Sequence, residues 1–159
     1  MIAIKCTTGK NIEVPGDSLE GADLTSLDLH RAELGEQSLR GAKLDGAVLR
    51  SAWLEAADLS EASLVGAALM AADLRGAKLI DANLTKARLN AANLQDADLD
   101  GANLQDADVG GANMENANLR GATLRCMRLD LAKLTGAIAD QTTVWPEGFD
   151  PRAMGVLFM

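Results

Sequence analysis

The sequence predicts an all-β solenoid in which four consecutive units of a short repeat complete one square coil. Three observations support this fold class: a five-residue repeat, alanine two positions before most of the central leucines, and glycine recurring at one position of the unit. The repeat covers residues 17–136. Residues 1–16 are expected to form an N-terminal β cap, and residues 137–159 a C-terminal cap or tail, since a solenoid must cover its terminal coils.

The leucine column is the clearest part of the repeat. Of the 24 positions read in steps of five from Leu19 to Leu134, 22 are leucine, and the exceptions are Val109 and Met114. Two residues earlier, 20 of 23 positions from Ala22 to Ala132 are alanine. A period of five leaves no apolar stripe on an α-helix and would place leucines on alternate faces of one long strand. The chain must therefore turn in the same way after each short extended segment.

The corners of the coil have their own sequence signal. Nine of the 15 glycines stand two residues after the central position, where a type II turn requires a positive φ angle. Alanine or serine stands at other corners, including Ala56, Ala71 and Ser51, which predicts a second turn type there. Four corners close one coil, so the 24 units predict about six coils.

Three large residues interrupt the alanine column near the ends of the repeat. They are Leu27, Gln37 and Met127. We expect the coil to widen at these positions, where a cap fills its end. The amide of Gln37 would then point inward and require a hydrogen-bond partner.

Individual units carry a family resemblance. The segments Ala82-Asn83-Leu84-Thr85-Lys86 and Ala92-Asn93-Leu94-Gln95-Asp96 resemble the pentapeptide-repeat family, whose consensus is Ala-(Asp/Asn)-Leu-X-X. The resemblance implies a right-handed quadrilateral β-helix. The segment Trp145–Pro151 is similar to the tails of cyanobacterial members.

Composition excludes several classes of function. The formal net charge is −8 without basic clusters, which argues against direct binding of nucleic acid. No run of about 20 apolar residues is present to cross a membrane. Residues 1–10 lack the layout of a secretion signal, so a cytoplasmic location is expected.

The chemistry-bearing residues do not predict an enzyme. His30 is the single histidine, and Cys6 and Cys126 lack companions at metal-ligand spacing. The many aspartates are expected to lie on different walls of the coil, which disfavours a calcium site. We therefore expect no catalytic, cofactor-binding or metal-binding residues.

Three surface features are candidate sites. The candidate partner patch consists of apolar residues at outward positions: Val48, Val65, Ala68 and Met70. The candidate acidic belt lies in a stretch without lysine or arginine and comprises Asp96, Asp98, Asp100, Asp106, Asp108 and Glu115. The apolar end of the tail, Leu157, Phe158 and Met159, is expected either to fold back over the terminal coil of a monomer, which we favour, or to form an end-to-end homodimer.

The sequence leaves two functions open. The first is a non-enzymatic interaction or scaffold module that presents flat walls to an unidentified protein partner. The second comes from the family resemblance: some members mimic DNA, bind DNA gyrase and protect it from inhibitors. Lysines and arginines within the repeat and the absence of phenylalanine from its central positions favour the first.

Overall fold

Short β-bridges dominate the architecture. The computed structural model describes residues 1–159 and contains no α-helix. Its regular segments are β1 (Ile2–Ile4), β2 (Ile12–Val14), β3 (Ile138–Ala139) and β4 (Leu157–Phe158), with 3₁₀ turns at Leu129–Leu131 and Arg152–Met154. None of its helical segments has the length and apolar character needed to cross a membrane.

Between β2 and β3 each unit of the repeat pairs with the unit four places further along the chain. Asp58 bridges Lys78 in parallel, and Lys78 bridges Asp98. Within a unit, adjacent amides bond in opposite directions: Asn93 donates to Ala72 of the preceding coil and Leu94 donates to Asn113 of the following coil. Each coil is thus held to its two neighbours by backbone hydrogen bonds on each of four walls.

The interior is a column of leucine with alanine beside it. Leu94, Leu99 and Leu104 are completely buried. The alanines two places before them are at most 1% exposed. Val109 and Met114, the two exceptions in the leucine column, are also completely buried. The central and alanine positions of the repeat therefore face inward, and the other positions form the walls.

All corners of the regular repeat share one backbone conformation. From Gly21 to Gly121, every residue two places after the central position has a positive φ, whether it is glycine or not. Ser51, Ala56 and Ala71 have φ values of 53°, 55° and 56°. The prediction of a second turn type at these corners is wrong, because the pairing between coils imposes the left-handed conformation on residues that disfavour it.

Asparagine and aspartate on the walls complete the hydrogen bonding of the turns. The amide of the residue after the central leucine is not paired with a backbone carbonyl, and where an Asx residue stands two places earlier its Oδ1 accepts from that amide. Examples are the amides of Gln95 and Gln105, which donate to Asn93 and Asn103 at 3.1 and 3.0 Å. This local bond explains why Asp or Asn precedes so many of the leucines.

Within residues 17–136 the pairing departs from this register once, at the last coil. Asn113 bridges Lys133, four full units later, whereas Asp108 bridges Met127, which is one position short of four units. The corner before Met127 is one residue short, and the 3₁₀ turn Leu129–Leu131 restores the register. Met127 consequently lies on a wall and is 54% exposed, so the prediction that it faces a widened interior is wrong.

The N-terminal segment covers the first coil. β1 and β2 pair antiparallel with Ile2 opposite Val14, and Ile4 and Val14 are buried against the leucine column. Leu27 is half-buried against the same core. Gln37 is exposed, contrary to the predicted inward amide, and water can satisfy its polar atoms.

The tail adds a further layer at the other end. β4 pairs in parallel with β3, placing Leu157 beside Ile138. Val156 is buried in the core, and the guanidinium of Arg152 lies 4.5 Å from the centre of the Phe158 ring. The tail therefore folds back onto the last coil.

Candidate functional site

The outward positions on two neighbouring walls carry the candidate interaction residues. The valine wall is the ladder Asp28, Val48, Ala68, Arg88 and Asp108, together with the residue two places after each of them. The tryptophan wall is the next ladder along the chain, formed by Glu33, Trp53, Asp73, Asn93, Asn113 and Lys133. The two walls meet at one corner of the coil.

The predicted partner patch is only partly available to a partner. Val48 and Met70 lie on the valine wall and are half-buried, while Val65 lies on the preceding wall near their common corner. The amide of Val65 is fixed by Oδ1 of Asp45 at 3.0 Å. Ala68 points outward in the ladder but is only 2% exposed, because it lies between Val48 and Arg88. The structure thus keeps three of the four predicted residues accessible.

The predicted acidic belt is interrupted by the following coil. Arg128 forms an ion pair with Asp108, with Nε donating to Oδ1 at 2.8 Å. This hydrogen bond is the main reason why the pKa of Asp108 falls from 3.8 to about 2. Asp98 accepts a hydrogen bond from Asn118 at 2.9 Å. The stretch without basic residues in the sequence is therefore not a belt without basic neighbours in space.

The remaining belt residues do not converge on one point. Asp96 and Asp106 occupy corners, Asp100 follows a leucine, and Glu115 lies on the tryptophan wall. Asp96, Asp100 and Asp106 are exposed. No group of three or more histidine, cysteine, aspartate or glutamate residues is placed to hold a metal ion.

The tail residues differ from one another in exposure. Leu157 and Met159 are 50% and 66% exposed, whereas Phe158 is half-buried beneath Arg152. The residue that anchors the tail in the core is Val156, which the sequence-based set omits. Val156 directly precedes β4, whose pairing with β3 holds the tail against the last coil.

The lone histidine and the two cysteines have structural surroundings. His30 is half-buried, and its backbone amide donates to Oδ1 of Asp28 at 3.2 Å. Burial raises the pKa of the Cys126 thiol to about 12. Burial, together with nearby Asp28 and Glu33, also raises the pKa of Cys6. Both thiols therefore stay protonated at neutral pH and are poor nucleophiles.

A depression on the tryptophan wall lies outside the sequence-based patch. It has a volume of about 490 Å³, and both Trp53 and Gly35 line it. Gly35 follows Leu34, a place where the later coils carry the side chains of Glu55, Arg75 and Gln95. The missing side chain leaves the depression open. The sequence places Trp53 outward, but only the stacking of coils shows which charges surround it.

A sequence model of a known protein family matches most of the repeat. That model, described as "Pentapeptide repeats (8 copies)", matches residues 28–69, 67–106 and 97–136. The chain belongs to the pentapeptide repeat family. This confirms the resemblance drawn from the repeat units, and pentapeptide repeat proteins fold as right-handed β-helices.

Solved pentapeptide repeat structures share this fold. The chain is 44% identical to Rfr23 from the cyanobacterium Cyanothece 51142, over 58% of this chain and 63% of that one, with a TM-score of 0.57. It thus spans less than two thirds of that relative. It is 28% identical to HetL from the cyanobacterium Nostoc sp. strain PCC 7120, over 88% and 80% of the chains, with a TM-score of 0.63.

A more distant comparison supports only the similarity of fold. QnrB1, a plasmid-mediated fluoroquinolone resistance protein, is 17% identical over 86% of this chain and 77% of that one, with a TM-score of 0.58. A search of curated proteins found no match.

Proposed function

We propose that this pentapeptide repeat protein is a non-enzymatic interaction module that presents its walls to a protein partner. One observation carries the proposal. The inward positions are almost all leucine and alanine and are buried, so the variation between units is confined to the walls. A rigid backbone that displays different side chains at fixed spacing is suited to recognition, and solenoids commonly bind partners in this way.

The accessible part of the patch supports a contact on the valine wall. Val48, Val65 and Met70 are half-buried at outward positions around one corner. Apolar side chains that are partly covered by neighbours lose little conformational entropy when a partner covers them fully. We place this partner in the cytoplasm, a location that fractionation of the source cells tests.

The experiment is affinity capture from an extract of the source organism with the wild-type chain and two variants. Met70→Asp places a charge in the patch. Ile80→Asp is the matched control, because Ile80 is also half-buried at the position after a leucine, but on another wall. The proposal expects a protein that the wild type and Ile80→Asp retain and Met70→Asp loses, with unchanged circular dichroism. Equal retention by all three chains would contradict the patch, and no specific retention would contradict the function.

Gyrase binding by DNA mimicry is the second candidate. Asp96, Asp100 and Asp106 are exposed and support it, as does the fold shared with a fluoroquinolone resistance protein. The Asp108–Arg128 pair weakens it by neutralising part of the acidic surface. A gyrase supercoiling assay with a quinolone separates the two functions: protection of the enzyme supports mimicry, and no effect at a large molar excess contradicts it.

A further inference from the structure

Trp53 is an unusual residue for the wall of this solenoid. It is 54% exposed, and it is the one exposed aromatic residue of the chain. It lies in the ladder between Glu33 and Asp73. An indole with a free face is a site for a partner side chain, because aromatic residues contribute strongly to interfaces when they become buried.

The charges around Trp53 are predominantly negative. Four carboxylates and one guanidinium line the depression, namely Glu33, Glu36, Glu55, Asp73 and Arg75. Arg75 is already engaged: Nε donates to Asp73 at 2.8 Å, and Nη2 reaches Glu55 at 3.2 Å. The hydrogen bond from Arg75 also lowers the pKa of Asp73.

Two carboxylates and the indole face have no cationic partner within the chain. The four ion pairs of the structure do not include Glu33 or Glu36. The single cation–π contact is that of Arg152 with Phe158, so Arg75 does not cover the Trp53 ring. Glu33 and Glu36 are exposed, and both line the depression together with Gly35.

We propose that this depression binds an arginine side chain of the protein partner, with its guanidinium over the Trp53 indole and its N–H groups donating to Glu33 and Glu36. The inference rests on the interaction function proposed above and adds the chemistry of the partner. A planar guanidinium both stacks on an indole and forms paired hydrogen bonds with carboxylates, which a lysine ammonium or a metal ion does not. The net negative charge of the residues that line the depression repels anionic partners.

The test uses the isotope-labelled full chain and a short peptide of alternating arginine and glycine. Titration is followed through the two indole N–H resonances. Trp53 should shift, while Trp145, which stacks on Phe149 in the tail, provides an internal reference. A peptide with citrulline in place of arginine keeps the shape without the charge and should leave both resonances unchanged.

Variants then assign the contact to individual side chains. Trp53→Ala should weaken peptide binding, measured by calorimetry, by at least about fivefold, as expected for loss of a cation–π contact. Glu33→Gln with Glu36→Gln should weaken it further and reduce its dependence on salt. Glu115→Gln, on the same wall but outside the depression, is the matched control and should bind as the wild type does.

Three outcomes would overturn the inference. They are an equal response to the citrulline peptide, no loss of binding in Trp53→Ala, and a shift of Trp53 with protein concentration alone, which would make a second copy the occupant. The capture experiment separates this inference from the proposed function. A host partner retained equally by the wild type and Trp53→Ala would contradict the arginine site and leave the interaction function standing.

Discussion

Arg128 reaches back along the solenoid to Asp108, with its Nε 2.8 Å from Oδ1. Gly110 leaves room for the pair, because a Cβ at that position would lie 2.8 Å from Arg128 Nε and the arginine side chain would have to shift. Gly110 has no positive φ, so glycine serves there to make room rather than to form the turn. The register break between Asp108 and Met127 places Met127 in the ladder and leaves Arg128 in a left-handed conformation, from which its side chain reaches Asp108.

The pair predicts a pH-dependent contribution to stability. The pKa of Asp108 is lowered to about 2 in the folded chain, so the stabilisation is present above about pH 4 and is lost as the pH falls towards 2. Arg128→Ala should therefore lower the free energy of unfolding at pH 7, and only modestly, because solvent screens the pair. The difference should shrink in urea titrations at lower pH. Gly110→Ala should reproduce the effect, and a constant difference at all pH values would contradict it.

Core and wall positions should differ sharply in their sensitivity to substitution. Leu94 is completely buried, and Leu94→Ala should lower the free energy of unfolding by about 2–5 kcal/mol. The next residue, Gln95, lies on a wall. Gln95→Ala should change the free energy of unfolding by no more than about 0.5 kcal/mol. Chemical denaturation measures both. Similar losses at the two positions would mean that the inward register is misassigned.

Exchange of glycine and alanine at two corners should have opposite effects. Ala71 and Gly76 have φ values of 56° and 62° at neighbouring corners, and a Cβ at Gly76 would meet no atom within 4 Å. Ala71→Gly should raise the free energy of unfolding by about 0.5–1 kcal/mol, since released strain exceeds the added chain entropy. Gly76→Ala should lower it by about 1 kcal/mol. Thermal unfolding checks the signs, and effects in the same direction would contradict a shared turn conformation.

The tail should separate into an anchoring residue and exposed residues. Val156 is 4% exposed, so Val156→Asp should lower the melting temperature, as should truncation after Arg152. Leu157 is 50% exposed, and Leu157→Asp should leave the melting temperature nearly unchanged. Light scattering tests the alternative use of the tail. A dimer that Leu157→Asp dissociates would contradict the monomer favoured from the sequence.

The five-residue repeat made the inward positions predictable from the sequence. Features that depend on contacts between stacked coils, such as corner conformation and the exposure of single side chains, were not predictable. Strict spacing of leucine and alanine identifies the inward columns because packing around a narrow axis admits only those side chains. The conformation of the Ala71 corner could not be read from its residue type, since pairing between coils overrides local preference. The exposure of Met127 was hidden because the leucine spacing continues unbroken through the register break.

The candidate surface was less predictable for the same reason. Every twentieth residue could be aligned, which placed Val48, Ala68 and Trp53 outward. The burial of Ala68 depends on the sizes of its ladder neighbours. The neutralisation of Asp108 depends on a residue outside the acidic stretch, and the depression at Trp53 depends on the missing side chain of Gly35.

Every surface assignment depends on which residues of each unit are paired, and amide hydrogen exchange measures this most directly. From residue 84 to residue 109, every amide donates to a backbone carbonyl except those of Thr85, Asn90, Gln95, Asp100 and Gln105. We predict fast exchange at these five positions, fastest at Asn90, because Arg88 provides no Asx acceptor two places earlier. Uniform protection, or fast exchange at the leucines and the residues before them, would contradict the coil described here.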